Sequence, residues 1–129
     1  MKEETKVPKA SPFVAVDNCK EALERYRAAF GGKVRVLMEQ AGRVMQAELH
    51  LGDTMIHLAD AVMAKPAVRG DQVKVMVEFD SEEALRRAYE SLSADGQVLV
   101  PAHDTNFGAV LASVTDWNGT GWILKYVRT

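Results

Sequence analysis

The chain has 129 residues, and its apolar and charged fractions, 47% and 26%, are those of an ordinary globular domain. Its formal net charge of −2 argues against a nucleic-acid partner, and no apolar run is long enough for a membrane span. The first residues do not resemble a signal peptide, and a single cysteine excludes an internal disulfide. These features predict a cytoplasmic protein without nucleic-acid or membrane partners.

The first half of the chain predicts a strand, a helix and three further strands. Residues 1–10 are charged and predict a flexible N-terminal arm. Asn18 and Glu21 form a capping pattern at the start of the helix, and a glycine pair ends it. The predicted elements are a strand at Phe13 to Val16, a helix at Cys19 to Phe30, and strands at Val34 to Glu39, Val44 to Leu51 and Thr54 to Ala59, the last two joined by a tight turn at Gly52-Asp53.

The second half repeats this plan after a connection at Asp60 to Asp71. Val75 to Leu85 follows the same order as Val14 to Leu23: an apolar run, an Asp, and an acidic stretch that ends in Ala-Leu. The predicted elements are a strand at Val73 to Phe79, a helix at Ser81 to Ser93, a strand at Val98 to Val100, a polar loop at Pro101 to Gly108, and strands at Val110 to Thr115 and Trp122 to Val127.

This repeat predicts an α+β fold of two βαβββ modules, about 11–61 and about 71–127, within one domain at 11–129. Where related modules meet, a concave cleft is expected between the sheets. Strand alternation separates an apolar face, which packs on the helices, from a semi-polar face that lines this cleft. A two-residue hairpin loop would place Glu48 opposite His57, and His50 opposite Met55. The alternative is that these polar side chains lie on a solvated sheet face.

Several motifs, in this order, resemble the vicinal oxygen chelate superfamily, which includes glyoxalase I, fosfomycin-resistance proteins, extradiol dioxygenases and bleomycin-binding proteins. Within it, the chain most resembles the PhnB-like branch. The resemblance extends from about Pro12 to Tyr126 and rests on the segments Asn18 to Leu23, Tyr26, Phe30-Gly31-Gly32, Met45 to Leu49, Gly52-Asp53, Ala59-Asp60-Ala61, Phe107-Gly108, Val114-Thr115-Asp116, Gly119 and Trp122.

The resemblance implies a glyoxalase/bleomycin-resistance-like fold, a homodimer and a small-molecule partner. The superfamily's metal ligands would fall at Ser11 or a neighbour, His57, Lys74 and Ile123. A protonated lysine and an isoleucine cannot bind a divalent cation, so we expect neither the usual metal site nor a cofactor. The expected cleft lining comprises Phe13, Glu48, His50, Met55, His57, Lys74, Met76, Glu78, Phe107, Ser113 and Ile123.

Three functions remain open at this point. The first is binding or modification of a small molecule, with catalytic residues unknown. The second is a metal-dependent lyase, isomerase or dioxygenase with displaced ligands such as Glu48, His50 and His57. The third is a dimeric scaffold without a ligand. Cys19 lies in the first turn of a helix, where a thiol pKa can be lowered, but without a neighbouring His a structural role is expected.

Overall fold

The computed structural model describes residues 9–61, 70 and 73–128. Most of the predicted arm at 1–10 and most of the predicted connection at Asp60 to Asp71 lie outside these residues. The described elements are β1 (Phe13–Val16), α1 (Cys19–Phe30), β2 (Lys33–Gln40), β3 (Arg43–Leu51), β4 (Thr54–Asp60), β5 (Val75–Phe79), α2 (Glu82–Ser93), β6 (Gln97–Asp104), β7 (Ala109–Thr115) and β8 (Gly121–Val127).

The strands form two four-stranded sheets of identical connectivity. The first has the order β1-β4-β3-β2 and the second the order β5-β8-β7-β6. β1 pairs in parallel with β4, and β5 pairs in parallel with β8. The remaining strand pairs are antiparallel. The predicted α+β fold of two βαβββ modules is therefore confirmed, and the sheets do not close into a barrel. No helix within the described residues is both long and apolar enough to cross a membrane.

Both helices begin at the residues that the capping patterns indicate. The Asn18 side chain accepts a hydrogen bond from the Glu21 N–H at 3.2 Å, and the Ser81 hydroxyl accepts one from the Ala84 N–H at 3.1 Å. At the end of α1, Gly31 adopts a φ of +80° and its N–H donates to the Arg27 carbonyl at 2.7 Å. Glycine is suited to this position because the left-handed region strains other residues.

One apolar core joins the two modules. α1 contacts α2 as well as the strands of its own module. The ring of Phe30, at the end of α1, lies 5.0 Å from that of Trp122 and 6.3 Å from that of Phe79, both in the second module. Tyr26 packs edge-on against Trp122 at 5.3 Å. Because α1 buries its aromatic side chains in the partner module, neither module has a complete core of its own.

The structure corrects two predicted boundaries in the second module. β6 continues to Asp104, so the predicted loop at Pro101 to Gly108 is strand over its first half. β6 is an edge strand with register shifts on both sides of Val100, and a proline is tolerated at such a place because no ladder hydrogen bond is lost. β5 begins at Val75 rather than at Val73, which is 81% exposed.

Candidate functional site

The sheet face opposite the helices carries the polar side chains singled out in the sequence. Across β1, β4, β3 and β2, strand register places one row of residues on this inner face, namely Phe13, His57, Glu48 and Arg35. Across β5, β8, β7 and β6 it places a second row, namely Met76, Ile123, Ser113 and Val100. These rows are therefore polar and aromatic in the first module and mainly apolar in the second.

Glu48 and His50 form the shortest polar contact on this face. His50 Nε2 lies 2.7 Å from Glu48 Oε1, and the side chains are 43% and 14% exposed. Arg35 Nη1 lies 3.9 Å from the same carboxylate oxygen. The predicted register, with Glu48 opposite His57 and His50 opposite Met55, is confirmed. The hydrogen bond, however, joins Glu48 to His50, its neighbour along β3, rather than to His57 across the hairpin.

Phe13 and His57 form a stacked pair on the neighbouring strands. Their ring centroids are 5.1 Å apart and the ring planes differ by 16°. Phe13 is 59% exposed although it lies within β1. Such exposure of an aromatic ring in a strand is typical of a contact surface rather than of core packing.

A cavity of about 1140 Å³ lies where the β3–β4 turn of the first module approaches β5 of the second. Four of the predicted site residues border it: His50, Met55, Met76 and Glu78. A second cavity, of about 470 Å³, lies along β1 and the β7–β8 turn and is bordered by Phe13. Part of the inner face therefore borders the larger cavity, and Phe13 borders the second one.

The other predicted site residues border neither of these two cavities. Glu48 and His57 lie one row further along the first sheet, and Ser113 is 7% exposed between Val100 and Ile123. Phe107 is 65% exposed in the turn between β6 and β7. Lys74 precedes β5 and its side chain lies against Gly121.

The larger cavity is also lined by residues that strand alternation or helical periodicity assigns to core packing. Phe30, Leu51 and Phe79 border it, together with residues 9–12 ahead of β1. All three apolar side chains are only half-buried. Strand alternation and helical periodicity could not identify them, because these patterns separate the faces of one element but do not show where the core between two modules ends.

The side chains at the superfamily's metal positions do not fit a divalent cation. Of Ser11, His57, Lys74 and Ile123, only His57 is a good donor, and its ring is stacked on Phe13. In the displaced set, Glu48 and His50 are hydrogen-bonded to each other, whereas His57 is stacked on Phe13. Within the described residues, no three His, Cys, Asp or Glu side chains are grouped closely enough to hold a metal ion.

Cys19 has the surroundings of a structural residue. Its side chain is fully buried, and burial, together with the negative charge of Asp60, raises the pKa of the thiol from 9.0 to about 11. Asp60 accepts two hydrogen bonds from the Arg43 guanidinium, each 3.0 Å long, and one from the Cys19 N–H at 3.4 Å. The thiol is therefore held neutral, which opposes any lowering of its pKa by the helix N-terminus.

Solved structures share this fold over nearly the whole chain. Protein PA1353 from Pseudomonas aeruginosa has 21% identity and a TM-score of 0.80, with 95% of this chain and 100% of that chain covered. A putative 3-demethylubiquinone-9 3-methyltransferase, PhnB protein, from Bacillus cereus has 19% identity and a TM-score of 0.74, with 93% and 100% covered. TioX from Micromonospora sp. ML1 has 17% identity and a TM-score of 0.62, with 92% and 98% covered.

Sequence comparison shows the family. Curated proteins give no significant match to the chain. A family profile, in contrast, matches residues 10–124, which is most of the chain. The solved structures that share the fold include a PhnB protein, as the motifs predicted. The chain therefore belongs to the Glyoxalase/Bleomycin resistance protein/Dioxygenase superfamily.

Proposed function

We propose that the protein binds a small amphipathic organic molecule in the larger cavity between its two modules. The observation that carries this proposal is the cavity itself, at about 1140 Å³. Small-molecule sites commonly have volumes of about 300–1,000 Å³ and lie where domains or modules meet. A molecule of drug or metabolite size would therefore fit.

The lining supports an amphipathic ligand. Most of the side chains are apolar, and two of them, Met55 and Met76, have flexible thioethers that adapt to irregular shapes. The polar and charged residues of the lining include His50 and Glu78, on opposite modules. Apolar area would provide affinity, while the polar groups would orient the molecule.

Sequestration requires only this cavity, and it is the activity that we propose first. The superfamily's name includes bleomycin resistance, which is consistent with binding without chemical change. A reducing, cytoplasmic location would suit the free cysteine Cys19.

A thermal-shift screen of metabolites and aromatic drugs tests the cavity. We expect at least one compound to raise the melting temperature of the wild type and to lose this effect in Met76→Trp, whose indole would fill the cavity. Glu24→Trp is the matched control, since it adds the same ring at an exposed position on α1. A compound that stabilises both variants equally would place the site elsewhere, and a screen without hits would favour the scaffold.

We further propose that a second copy of the chain covers the outer edges of the two sheets. β2 is exposed along its whole length, and its apolar residues Val34, Val36, Leu37 and Met38 are 37–45% exposed. β6, at the other edge, exposes Val98, Leu99 and Val100 by 39–43%. Long apolar edge strands are normally covered, because an open edge invites pairing with other chains.

Sedimentation or light scattering tests this association. We expect a homodimer for the wild type, a folded monomer for Val36→Lys, and a retained dimer for Val73→Lys. Val73 is the control because it is apolar and exposed but lies outside both edge strands. A wild type that remains monomeric at about 100 µM, where even a weak dimer with a micromolar dissociation constant would form, would overturn the proposal.

A further inference from the structure

Glu48 and His50 form a hydrogen-bonded pair in which the two side chains differ in exposure. The 2.7 Å contact between Glu48 Oε1 and His50 Nε2 has the length of a charge-assisted hydrogen bond. Glu48 is largely buried in the middle of β3, whereas His50 is 43% exposed and borders the larger cavity. Of the two residues, only His50 borders the cavity, and Glu48 contacts it from a more buried position on the same strand.

This contact determines which ring nitrogen carries the proton. A carboxylate has acceptor atoms only, so Nε2 of His50 must donate. In a neutral imidazole the other nitrogen, Nδ1, then has a free lone pair. No group among the described residues donates a hydrogen bond to this nitrogen. His50 borders the cavity, so its Nδ1 is a candidate proton acceptor for a ligand bound there.

We propose that the Glu48–His50 pair is a proton-accepting site for ligands that combine an aromatic body with an acidic hydroxyl, such as phenols. The inference deepens the proposed function, on which it rests. Phe30, Phe79 and Met55 border the same cavity and provide apolar contacts for an aromatic ring. The proton acceptor adds selectivity for the hydroxyl, because a ligand that covered Nδ1 without donating a hydrogen bond would leave this acceptor unsatisfied.

The proposed step is a single proton transfer. The O–H bond of the phenol breaks, an N–H bond forms at Nδ1 of His50, and a phenolate remains beside an imidazolium. Glu48 keeps its charge and stabilises the imidazolium through Nε2, so it acts as a positioning residue. No oxidant, metal or further reactant takes part, and the reverse transfer restores both groups.

Other charged groups surround this pair, and all of them contribute to the pH dependence of ligand binding. Lys33 lies opposite His50 on β2, and Arg35 approaches Glu48 from the same strand. Both cations favour an anionic phenolate nearby. The remaining titratable groups are His57 on β4 and, around the cavity, Lys9, Asp53, Glu78 and Asp80.

Binding of 4-nitrophenol tests the proposal, since only its phenolate is yellow. In the wild type we expect the bound compound to ionise at a pH about one unit lower than free 4-nitrophenol, which is a tenfold change in the equilibrium. His50→Gln should abolish this shift, and Glu48→Gln should reduce it. 4-Nitroanisole, which has no hydroxyl proton, serves as the control: it should bind the wild type and show no colour change with pH.

The outcomes separate this inference from the proposed function. If both compounds bind but the ionisation of 4-nitrophenol is unchanged, or changes equally in His50→Gln, the proton-accepting site is wrong and the cavity remains. If neither compound binds, the result counts against the cavity and with it against the site.

A measurement without ligand gives a second test. Long-range ¹H–¹⁵N spectra distinguish protonated from unprotonated ring nitrogens, and His50→Gln assigns the signals among the three histidines of the chain. We expect the neutral ring of His50 to carry its proton on Nε2 in the wild type. In Glu48→Gln, where the amide can donate, the proton should move towards Nδ1. A wild-type proton on Nδ1 would overturn the proposal whatever the ligand.

Discussion

The Asp116 carboxylate accepts four hydrogen bonds, which join α1, the β7–β8 turn and β8. Its Oδ2 accepts hydrogen bonds from the Tyr26 hydroxyl at 2.7 Å and from Trp122 Nε1 at 2.8 Å. Its Oδ1 accepts from the N–H groups of Asn118 and Thr120 at 2.9 and 3.0 Å. The carboxylate is only 3% exposed, so its four donors replace the water that it loses on folding.

Asp116→Asn should destabilise the fold strongly. An amide can offer one acceptor oxygen, so the two donors at Oδ2 would meet another donor and remain unsatisfied. We expect the free energy of unfolding to fall by about 2–4 kcal/mol, measured by urea unfolding. Asp80→Asn, the same change at an exposed position, is the control and should have little effect. Equal losses in both variants would contradict this account.

The alkaline limit of stability should depend on Cys19. Below about pH 9 the thiol is protonated in both states, whereas above it the unfolded chain loses the proton first, because burial raises the folded pKa to about 11. The free energy of unfolding should therefore fall as pH rises from about 9 to about 11.

Cys19→Ala removes this contribution, so the free energy of unfolding should fall less steeply with pH in the alkaline range. A further decline will remain in the variant, because burial and Asp116 also raise the pKa of Tyr26. Denaturant midpoints at several pH values provide the measurement. Curves of identical slope for the wild type and Cys19→Ala near pH 9–10 would show that the thiol does not contribute.

At the scale of elements, local signals account for where the helices begin and for the hairpin register. Asn18 and Ser81 cap α1 and α2 through their own side chains, and the β3–β4 turn sets the pairing of Glu48 with His57. β6 behaves differently, since it continues through Pro101 where the sequence predicts a loop. An edge strand requires fewer backbone donors, so a proline there is weak evidence against a strand.

Ser81→Ala should measure what the α2 cap contributes. The hydroxyl is the acceptor for the Ala84 N–H, and its loss leaves one orphan donor at the helix start. We expect a loss of about 1 kcal/mol in the free energy of unfolding. Ser91→Ala, an exposed serine on the same helix, is the control, and a similar loss there would show that the cap is not responsible.

At the scale of the whole molecule, the modules are joined at their cores and at their edges. Phe30 of α1 lies among aromatic rings of the second module. At the edge, Asn118 Nδ2 donates to the Ala15 carbonyl at 3.0 Å, which connects the β7–β8 turn to β1. Phe30 borders the larger cavity, to which both modules contribute residues. Ligand binding there is expected to involve both modules together.

The protein should unfold in a single transition. Because the aromatic core is shared, far-UV circular dichroism and tryptophan fluorescence should give the same midpoint. Phe30→Ala should lower both midpoints together, by about 3 kcal/mol in the free energy of unfolding. Phe107→Ala, at an exposed phenylalanine, should change neither. Two separate transitions in either protein would show that the modules fold independently.

The sequence by itself determined the module plan, the helix starts and the register of the β3–β4 hairpin. These depend on periodicity, caps and tight turns, which act over a few residues. The tertiary structure decided where the cavity lies, which histidine bonds to Glu48, and which groups donate hydrogen bonds to Asp116. Tyr26 and Asp116 are 90 positions apart, and no local pattern relates them. Similarly, Glu48 had two histidines within reach on one face, and only packing placed His50 at 2.7 Å.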